Sequence, residues 1–290
     1  MFKGSIVAIV TPFKNGQVDE KAFGGMIEFQ IANGTQGIVP CGTTGESATL
    51  SHTEHQRVIE FTVEVVRGRV PVIAGTGSNS TEEAISLTQY AKKARADGAL
   101  LIAPYYNKPT QEGLYQHFKK IAEAVDFPLV VYNIPGRTGV NISPQTFARL
   151  VQLKNIVAIK ESSGSLQQIS EILHYCGERF TLLSGDDALA LPTLAVGGKG
   201  VISVAANIIP SEMAEMVRAF ERGDLHQAQR LHYRMFGLFH ALFLETNPIP
   251  VKTALALMGR CTAELRLPLC PLSSENLERL KQALKEYGLI

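Results

Sequence analysis

Short apolar runs alternate with longer amphipathic stretches along residues 1–209 of the chain. Short runs rich in Val, Ile and Leu and bounded by turn residues are typical of buried strands, whereas apolar positions at helical spacing are typical of helices. The pattern predicts eight strands, which end near Val10, Pro40, Ala74, Ala103, Tyr132, Lys160, Ser184 and Ser203.

Two of the intervening stretches begin with a capping-box signal. Residues 51–66 open with Ser51-x-x-Glu54, and residues 80–96 open with Ser80-x-x-Glu83. In a capping box the serine hydroxyl accepts from an N–H of the first helical turn, while the glutamate accepts from the serine N–H. Both stretches are therefore predicted to be helices between strands.

Eight βα units in succession favour an α/β fold of the closed (β/α)8 TIM-barrel type. A doubly wound open sheet is the alternative, but eight evenly spaced units fit closure better. Residues 210–290 carry no further strand signal and predict helices over residues 212–221 and 225–244, with others ending near Gly259 and Leu289. We therefore expect a catalytic barrel over residues 1–209 and a C-terminal helical extension over residues 210–290.

The composition narrows the classes of partner. The chain has 290 residues, 45% of them hydrophobic, and a formal net charge of +1, which points to neither a nucleic-acid nor a membrane partner. The apolar run before Thr11 is too short for a signal peptide or a membrane span. The four cysteines show no C-x-x-C spacing, as expected of reduced core thiols in a cytoplasmic protein.

Lys160 is the lysine that stands at a predicted strand end, on the sixth strand. In a (β/α)8 barrel the chemistry lies at the carboxyl ends of the strands. Burial there disfavours the ammonium and favours the free amine, which can attack a carbonyl carbon. The alternative is a structural lysine whose ammonium reaches solvent from the strand end.

Two other strand ends offer groups that suit carbonyl chemistry. Tyr132 ends the fifth strand, so its phenol can face Lys160 across the barrel mouth and transfer protons, unless it only caps the core. The turn Gly42-Thr-Thr-Gly45 offers hydroxyls and closely spaced N–H groups that can hold a carboxylate. Phosphate is the rival ligand, but the glycine-rich phosphate loop and the P-loop pattern are not evident in the sequence.

Three further features each allow two interpretations. Arg137 in a Pro-Gly-Arg-Thr turn can bind a second carboxylate or can remain a solvated loop residue. The pair His52-x-x-His55 hints at a metal ion, but it lacks the zincin pattern, and we predict no metal and no cofactor. Asp186-Asp187 can bind a cation or cap a helix.

These motifs together resemble a known family. Gly42-Thr-Thr-Gly-Glu-Ser47, Tyr132-Asn-x-Pro-Gly-Arg-Thr138 and the strand-end Lys160 resemble the pyruvate-dependent class I aldolase superfamily, and within it the dihydrodipicolinate synthase family. The resemblance extends from Gly4 to Lys252, and so covers most of the chain.

The resemblance implies a lyase reaction of two substrates. Lys160 is implied to form a Schiff base with pyruvate, whose enamine adds to L-aspartate 4-semialdehyde to give 4-hydroxy-tetrahydrodipicolinate. This is the first committed step of diaminopimelate and lysine biosynthesis. Arg137 is implied to bind the aldehyde's carboxylate. The other implied positions are Thr44, Tyr132 and Tyr106 for proton transfer and Thr43, Thr44, Gly185 and Ile202 around pyruvate.

The resemblance also implies regulation and assembly. An inhibitory site for L-lysine is implied at Ser47, Ala48, His52, His55, Asn79, Glu83 and Tyr105. The competing interpretation of Glu83 is its place in a capping box. Tyr106 is implied to serve a neighbouring subunit, which requires a homo-oligomer, with a tetramer built as a dimer of dimers as the expected form.

Two alternatives stay open at this point. An N-acetylneuraminate or keto-sugar-acid lyase of the same superfamily would share Lys160, Tyr132 and the Gly42–Gly45 turn, but it would not need Arg137 or Tyr105-Tyr106. A non-catalytic barrel that acts as a scaffold would be expected to lack part of this set. The presence of every position favours the synthase.

Overall fold

A computed structural model describes residues 2–290, in which eight parallel strands form one barrel sheet. In chain order the barrel strands are Gly4–Ala8, Ile38–Val39, Ile73–Gly75, Gly98–Ile102, Leu129–Asn133, Ile156–Glu161, Thr181–Ser184 and Gly200–Ser203. The first strand pairs with both the second and the eighth, and a parallel bridge between Ile38 and Val72 closes the ring. The predicted (β/α)8 barrel is confirmed.

The barrel strands are buried on both faces because their side chains alternate between the barrel interior and the layer under the helices. On the fifth strand Val130 and Tyr132 point inward, whereas Leu129 and Val131 join the outer layer. The interior cluster consists of Phe2, Ile6, Ala8, Val39, Ile73, Leu100, Val130, Tyr132, Ala158, Leu183 and Ile202. These side chains fill the barrel interior, so substrates can bind only at the rim of the barrel.

Helices connect the strands around the outside of the barrel. They are Glu20–Ala32, His52–Val66, Thr81–Lys93, Gln111–Ala124, Pro135–Thr138, Pro144–Leu150, Leu166–Cys176, Ala190–Ala195 and Pro210–Glu221. The last of these packs against the first strand and so completes the outer layer. Short 3-10 helices, Ser47–Thr49 and Ala205–Asn207, follow the second and eighth strands.

The two predicted capping boxes have different outcomes. Ser51 and Glu54 form theirs, because each side chain accepts from the other's backbone N–H. Ser80 caps its helix through the N–H of Glu83, but the Glu83 carboxylate accepts from the Ser78 hydroxyl instead of returning to Ser80. The capping-box interpretation of Glu83 is therefore wrong, since the nearby Ser78 hydroxyl and the more distant His52 bind its carboxylate instead.

A short hairpin after the first barrel strand was not predicted. Strands Phe13–Lys14 and Gln17–Val18 pair antiparallel around Asn15-Gly16. Both turn residues have positive φ, at 54° and 78°, as a two-residue type I′ turn requires. The Asn-Gly signal is present in the sequence, but two-residue strands are too short to show an alternating pattern.

Three helices follow the outer layer: Leu225–Ala241, Ile249–Leu257 and Ser274–Tyr287. They confirm the helices predicted after residue 225, although the first ends three residues before the predicted Leu244. All four cysteines are free, but Cys270 is exposed rather than buried as expected, because it lies in the irregular segment between the last two helices. No helix within residues 2–290 is long and apolar enough to cross a membrane.

A buried ion pair connects these C-terminal helices to the barrel. Lys252 Nζ lies 2.5 Å from Glu46 Oε1, and both side chains are fully buried. Burial lowers the pKa of Lys252, while the Glu46 carboxylate opposes that shift. Lys252 Nζ also lies 4.0 Å from the centre of the Phe13 ring, which adds a cation–π contact.

Arg266 extends this ion pair into a cluster. Its backbone N–H donates to Glu46 Oε2 at 3.2 Å, and its guanidinium makes a bidentate contact with Glu54. The guanidinium also donates to the carbonyl of Gly16 in the hairpin and lies 4.2 Å from the centre of the Phe13 ring. Arg266 thus joins three parts of the chain: the hairpin, the loop after the second barrel strand and the C-terminal residues around Lys252 and Arg266.

We expect Lys252→Met to lower the free energy of unfolding by about 3–5 kcal/mol, because Glu46 is left as an unpaired buried charge. Guanidinium denaturation followed by far-UV circular dichroism measures the change. The double variant Glu46→Gln/Lys252→Met should recover most of the loss, since it removes both buried charges. Lys281→Met, in an ion pair at the surface, is the control and should leave the midpoint unchanged.

A Lys252→Met protein as stable as the wild type would contradict this prediction, because it would show that leaving Glu46 without Lys252 does not lower the free energy of unfolding. A double variant no more stable than the single variant would place the effect in packing around Phe13 and not in charge.

Candidate active site

Lys160 and Tyr132 lie side by side at the rim of the barrel. They are register partners on the sixth and fifth strands, and Lys160 Nζ lies 4.2 Å from the centre of the Tyr132 ring. Both are buried, with 6% and 5% of their surface exposed. The sequence correctly placed both residues at strand ends, but Tyr132 lies beside Lys160 rather than across the mouth, since neighbouring parallel strands carry them in register.

Gly185 and Ile202 border the same pair from the seventh and eighth strands. A Cβ atom at Gly185 would meet Lys160 Cε at 2.8 Å and would overlap the hydroxyl of Ser162. The absence of a side chain at Gly185 therefore makes room for the lysine chain. Gly185 thus lies against Lys160, and Ile202 belongs to the interior cluster that contains Tyr132.

The turn after the second strand presents two backbone donors. The hydrogen bonds that close it use the N–H groups of Gly45, Glu46 and Ser47, which leaves those of Thr43 and Thr44 outside them. The Thr44 side chain is buried and its hydroxyl accepts from Asn247 Nδ2 at 3.0 Å. The turn thus has the adjacent N–H groups and hydroxyl that binding of a carboxylate requires.

Arg137 lies in the four-residue helix Pro135–Thr138 that follows the fifth strand. Its Nη2 donates to the backbone carbonyl of Asn247 at 2.9 Å, and the side chain is otherwise exposed at the mouth. The contact holds one edge of the guanidinium and leaves donors for an anion.

Some of the predicted residues line a cavity of 470 Å³ at the mouth of the barrel. Thr43 and Arg137 are among them, together with Asn247. The cavity is also lined by six of the seven predicted lysine-site residues: Ser47, Ala48, His52, His55, Glu83 and Tyr105. The seventh, Asn79, donates to the backbone carbonyl of Tyr105 at 3.2 Å. Lys160 and Tyr132 do not line this cavity.

Tyr106 is the predicted site residue that the chain does not bring to Lys160. It is 89% exposed and has a φ of 71°, in the left-handed region that bulky residues rarely adopt. A strained backbone that holds an aromatic ring in solvent is typical of a functional contact with another molecule.

His52 and His55 face different surroundings. His52 Nε2 lies 3.2 Å from Glu83 Oε1, whereas His55 is buried and its pKa is lowered to about 4 by that burial. No cluster of three or more His, Cys, Asp or Glu suited to a metal ion occurs in the part of the chain that the structure describes.

Asp187 acts as a cap across two strand ends. Its carboxylate is buried and accepts from the N–H groups of Val204 and Ala205, at 3.1 and 2.9 Å, where the 3-10 helix after the eighth strand begins. Burial raises its pKa to about 6, and the hydrogen bonds only partly offset that rise. Asp187 is therefore not the N-cap of the helix that follows it, which begins after Leu189; its carboxylate instead accepts from the start of the 3-10 helix after the next strand.

Sequence reasoning missed Asn247 and Glu46 as functional residues. Asn247 contacts both Thr44 and Arg137, and Glu46 ends the anion-binding turn in the buried ion pair. Glu46 has a φ of 53°, so the turn reverses there in a left-handed conformation. Both residues stand inside motifs that were recognised, but their partners are more than a hundred residues away.

Comparison with known proteins identifies relatives over the whole length. A model of the dihydrodipicolinate synthetase family matches residues 1–287. A 4-hydroxy-tetrahydrodipicolinate synthase of Syntrophobacter fumaroxidans is 65% identical, with all of both chains covered. Among solved structures, a chloride-inhibited dihydrodipicolinate synthase of Acinetobacter baumannii complexed with pyruvate is 49% identical, with all of both chains covered and a TM-score of 0.98. A dihydrodipicolinate synthase of Cyanidioschyzon merolae with lysine bound is 44% identical, covers 100% of this chain and 99% of its own, and has a TM-score of 0.97.

We expect Asp187→Asn to change how stability depends on pH. Because the folded pKa of Asp187 is raised from 3.8 to about 6, its contribution is present below pH 3.8 and is lost as the pH rises through about 6. Relative to the Asp187→Asn variant, the wild type should therefore lose about 3 kcal/mol across this window, at about 1.4 kcal/mol per pKa unit. Denaturation midpoints measured along a pH series test this, and parallel curves for the two proteins would contradict it.

Proposed function

The chain belongs to the dihydrodipicolinate synthetase family, and from that premise we propose that it condenses pyruvate with L-aspartate 4-semialdehyde. The product is 4-hydroxy-tetrahydrodipicolinate, and the step commits aspartate semialdehyde to diaminopimelate and lysine. The observation that carries the proposal is the buried Lys160 in register with Tyr132 at the barrel rim. An amine and a phenol in this arrangement provide the nucleophile and the proton donor that Schiff-base chemistry needs.

Lys160 attacks C2 of pyruvate as the free amine and forms a carbinolamine. Loss of water gives the protonated Schiff base, and Tyr132 supplies the proton that the leaving hydroxyl takes. Removal of a methyl proton then gives the enamine, with Thr44 and Tyr132 as the relay. Gly185 allows this sequence because it leaves the lysine chain free to reach the rim.

The carboxylate of pyruvate binds at the turn after the second strand. The N–H groups of Thr43 and Thr44 are not used within the turn, and closely spaced donors of this kind favour an anion. A carboxylate held there directs the keto carbon toward Lys160. The turn thus binds the carboxylate of a small 2-oxo acid, and Lys160 reacts with its keto carbon.

Arg137 binds the carboxylate of aspartate semialdehyde. Its guanidinium lies at the mouth with one edge fixed on Asn247 and the other free. The enamine carbon attacks the aldehyde carbon, and the substrate's amine then attacks C2 of the Schiff base. That ring closure expels Lys160 as the free amine, so that no cofactor is consumed.

Tyr106 completes the proton relay of a neighbouring subunit. Its 89% exposure and its strained backbone within a single chain support this assignment. The active protein is therefore a homo-oligomer, and we propose a tetramer built as a dimer of tight dimers.

L-lysine, the end product, inhibits by binding in the mouth cavity at the residues of the predicted lysine site. Glu83 offers a carboxylate for an ammonium group, and His52 lies beside it. Ser47, Asn79 and the Tyr105 region add neutral polar groups suited to the α-carboxylate. His55 stays neutral at physiological pH because its burial lowers its pKa to about 4, so it adds no charge there.

The test of the proposed function is a coupled assay with pyruvate and aspartate semialdehyde beside one with pyruvate and N-acetylmannosamine. We expect turnover in the first assay alone, because Arg137 supplies a clamp for a second carboxylate. Borohydride with pyruvate should add one reduced pyruvate adduct to the wild type, seen by intact mass, and none to Lys160→Arg.

The matched control is Lys154→Arg, which changes an exposed lysine just before the same strand. It should trap pyruvate like the wild type. Turnover with N-acetylmannosamine, or trapping by the Lys160→Arg protein, would contradict the proposed reaction or its nucleophile.

We expect Glu83→Gln to weaken inhibition by L-lysine by about tenfold or more, since a hydrogen bond to a charged group is worth about 1.5–3 kcal/mol. The uninhibited turnover number should not change, because Glu83 lies away from Lys160. Inhibition curves at fixed substrate measure the effect, with Glu82→Gln on the exposed face of the same helix as control. Equal inhibition of the two variants would remove Glu83 from the lysine site.

A further inference from the structure

Asn247, between two of the C-terminal helices, is one of the residues after the barrel that line the mouth cavity. It lies between helices Leu225–Ala241 and Ile249–Leu257, and only 5% of its surface is exposed. Its Nδ2 donates to Thr44 Oγ1 at 3.0 Å, and its backbone carbonyl accepts from Arg137 Nη2 at 2.9 Å. One residue thus contacts both the hydroxyl of the relay and the guanidinium of the second-carboxylate site.

The segment that carries Asn247 is fixed at its other end. Lys252 forms the buried ion pair with Glu46, which lies two residues after Thr44. Two contacts therefore hold residues 247–252 against residues 44–46, one polar and one ionic. Such double attachment limits how far the Asn247 amide can move relative to the Thr44 hydroxyl.

The Asn247 amide keeps one unsatisfied atom. Its Oδ1 is buried and has no hydrogen-bond partner in residues 2–290. Buried acceptors that no protein donor satisfies are uncommon and are often found at functional sites. The amide that carries this atom also contacts the relay hydroxyl, which points to a functional role.

We propose that Asn247 is a positioning residue that sets the direction in which the Thr44 hydroxyl donates its proton. A threonine hydroxyl has one donor and two acceptor positions. The Asn247 amide N–H occupies one acceptor position of the Thr44 hydroxyl. The single O–H proton of Thr44 must therefore point to another group, so the hydroxyl donates its proton in one fixed direction. The inference rests on the proposed function and extends it to a residue outside the strand ends.

Asn247→Ala isolates this role, since alanine keeps the backbone carbonyl that Arg137 uses. We expect its turnover number to fall roughly 10- to 100-fold, within the range of a perturbed general acid–base step. The KM values for both substrates should change by less than about threefold, because neither carboxylate site loses a donor. Steady-state kinetics with each substrate varied gives both parameters.

A partial reaction separates positioning from a structural effect. In D2O without aldehyde, the methyl protons of pyruvate should exchange more slowly in Asn247→Ala by the same factor as turnover, as followed by proton NMR. The extent of borohydride trapping at equilibrium should match that of the wild type, and the melting temperature should stay within a few degrees. Thr44→Val/Asn247→Ala should be no slower than Thr44→Val, because residues that act through one group are not additive.

Asn276→Ala is the matched control, since Asn276 is a partly buried asparagine of the last helix whose side chain contacts Glu245 and Arg279. It should show wild-type kinetics. Unchanged turnover in Asn247→Ala, or a double variant that multiplies the two single losses, would overturn the inference while leaving the proposed function intact. A fall in trapping and melting temperature together with turnover would also overturn it, by making Asn247 structural. A wild type that traps no pyruvate would overturn both proposals.

Discussion

The buried ion pair between Glu46 and Lys252 is the interaction on which the geometry of the site depends. Glu46 ends the turn that offers the Thr43 and Thr44 donors, and Lys252 belongs to the C-terminal segment. Neither charge can leave its partner without being stranded in a region of low polarity. The turn therefore cannot shift unless the C-terminal segment shifts with it, which makes a distant part of the chain a component of the rim.

The closed barrel explains why so few residues suffice for chemistry. Strands in register carry Tyr132 and Lys160 to the same height, and alternation sends both side chains inward. Closure brings the second, fifth and sixth strand ends around one opening. The missing side chain at Gly185 then gives the lysine its path to the opening. The barrel strands thus hold the catalytic side chains in orientation before substrate binds, whereas a flexible loop would have to become ordered on binding.

Features that occupy one strand or one turn could be predicted from the sequence, because their signals are local. The eight strands, the Ser51 capping box and the placement of Lys160 are of this kind. Contacts between residues far apart in the chain could not be predicted. Asn247 meets Thr44 across 203 positions, and no periodic pattern marks either partner. Glu83 shows the converse case: the sequence has the capping-box pattern, but the carboxylate binds Ser78 and His52 instead of the Ser80 N–H.

The proposed role of the exposed Tyr106 would make the activity depend on protein concentration. If one subunit's phenol completes another subunit's relay, then each complete site is made by mass action. Dilution below the dissociation constant of the tight dimer would leave Lys160 able to bind pyruvate but without its full proton path. Specific activity would then fall with dilution even though every chain stays folded. The degree of subunit association would therefore determine the activity per amount of this protein.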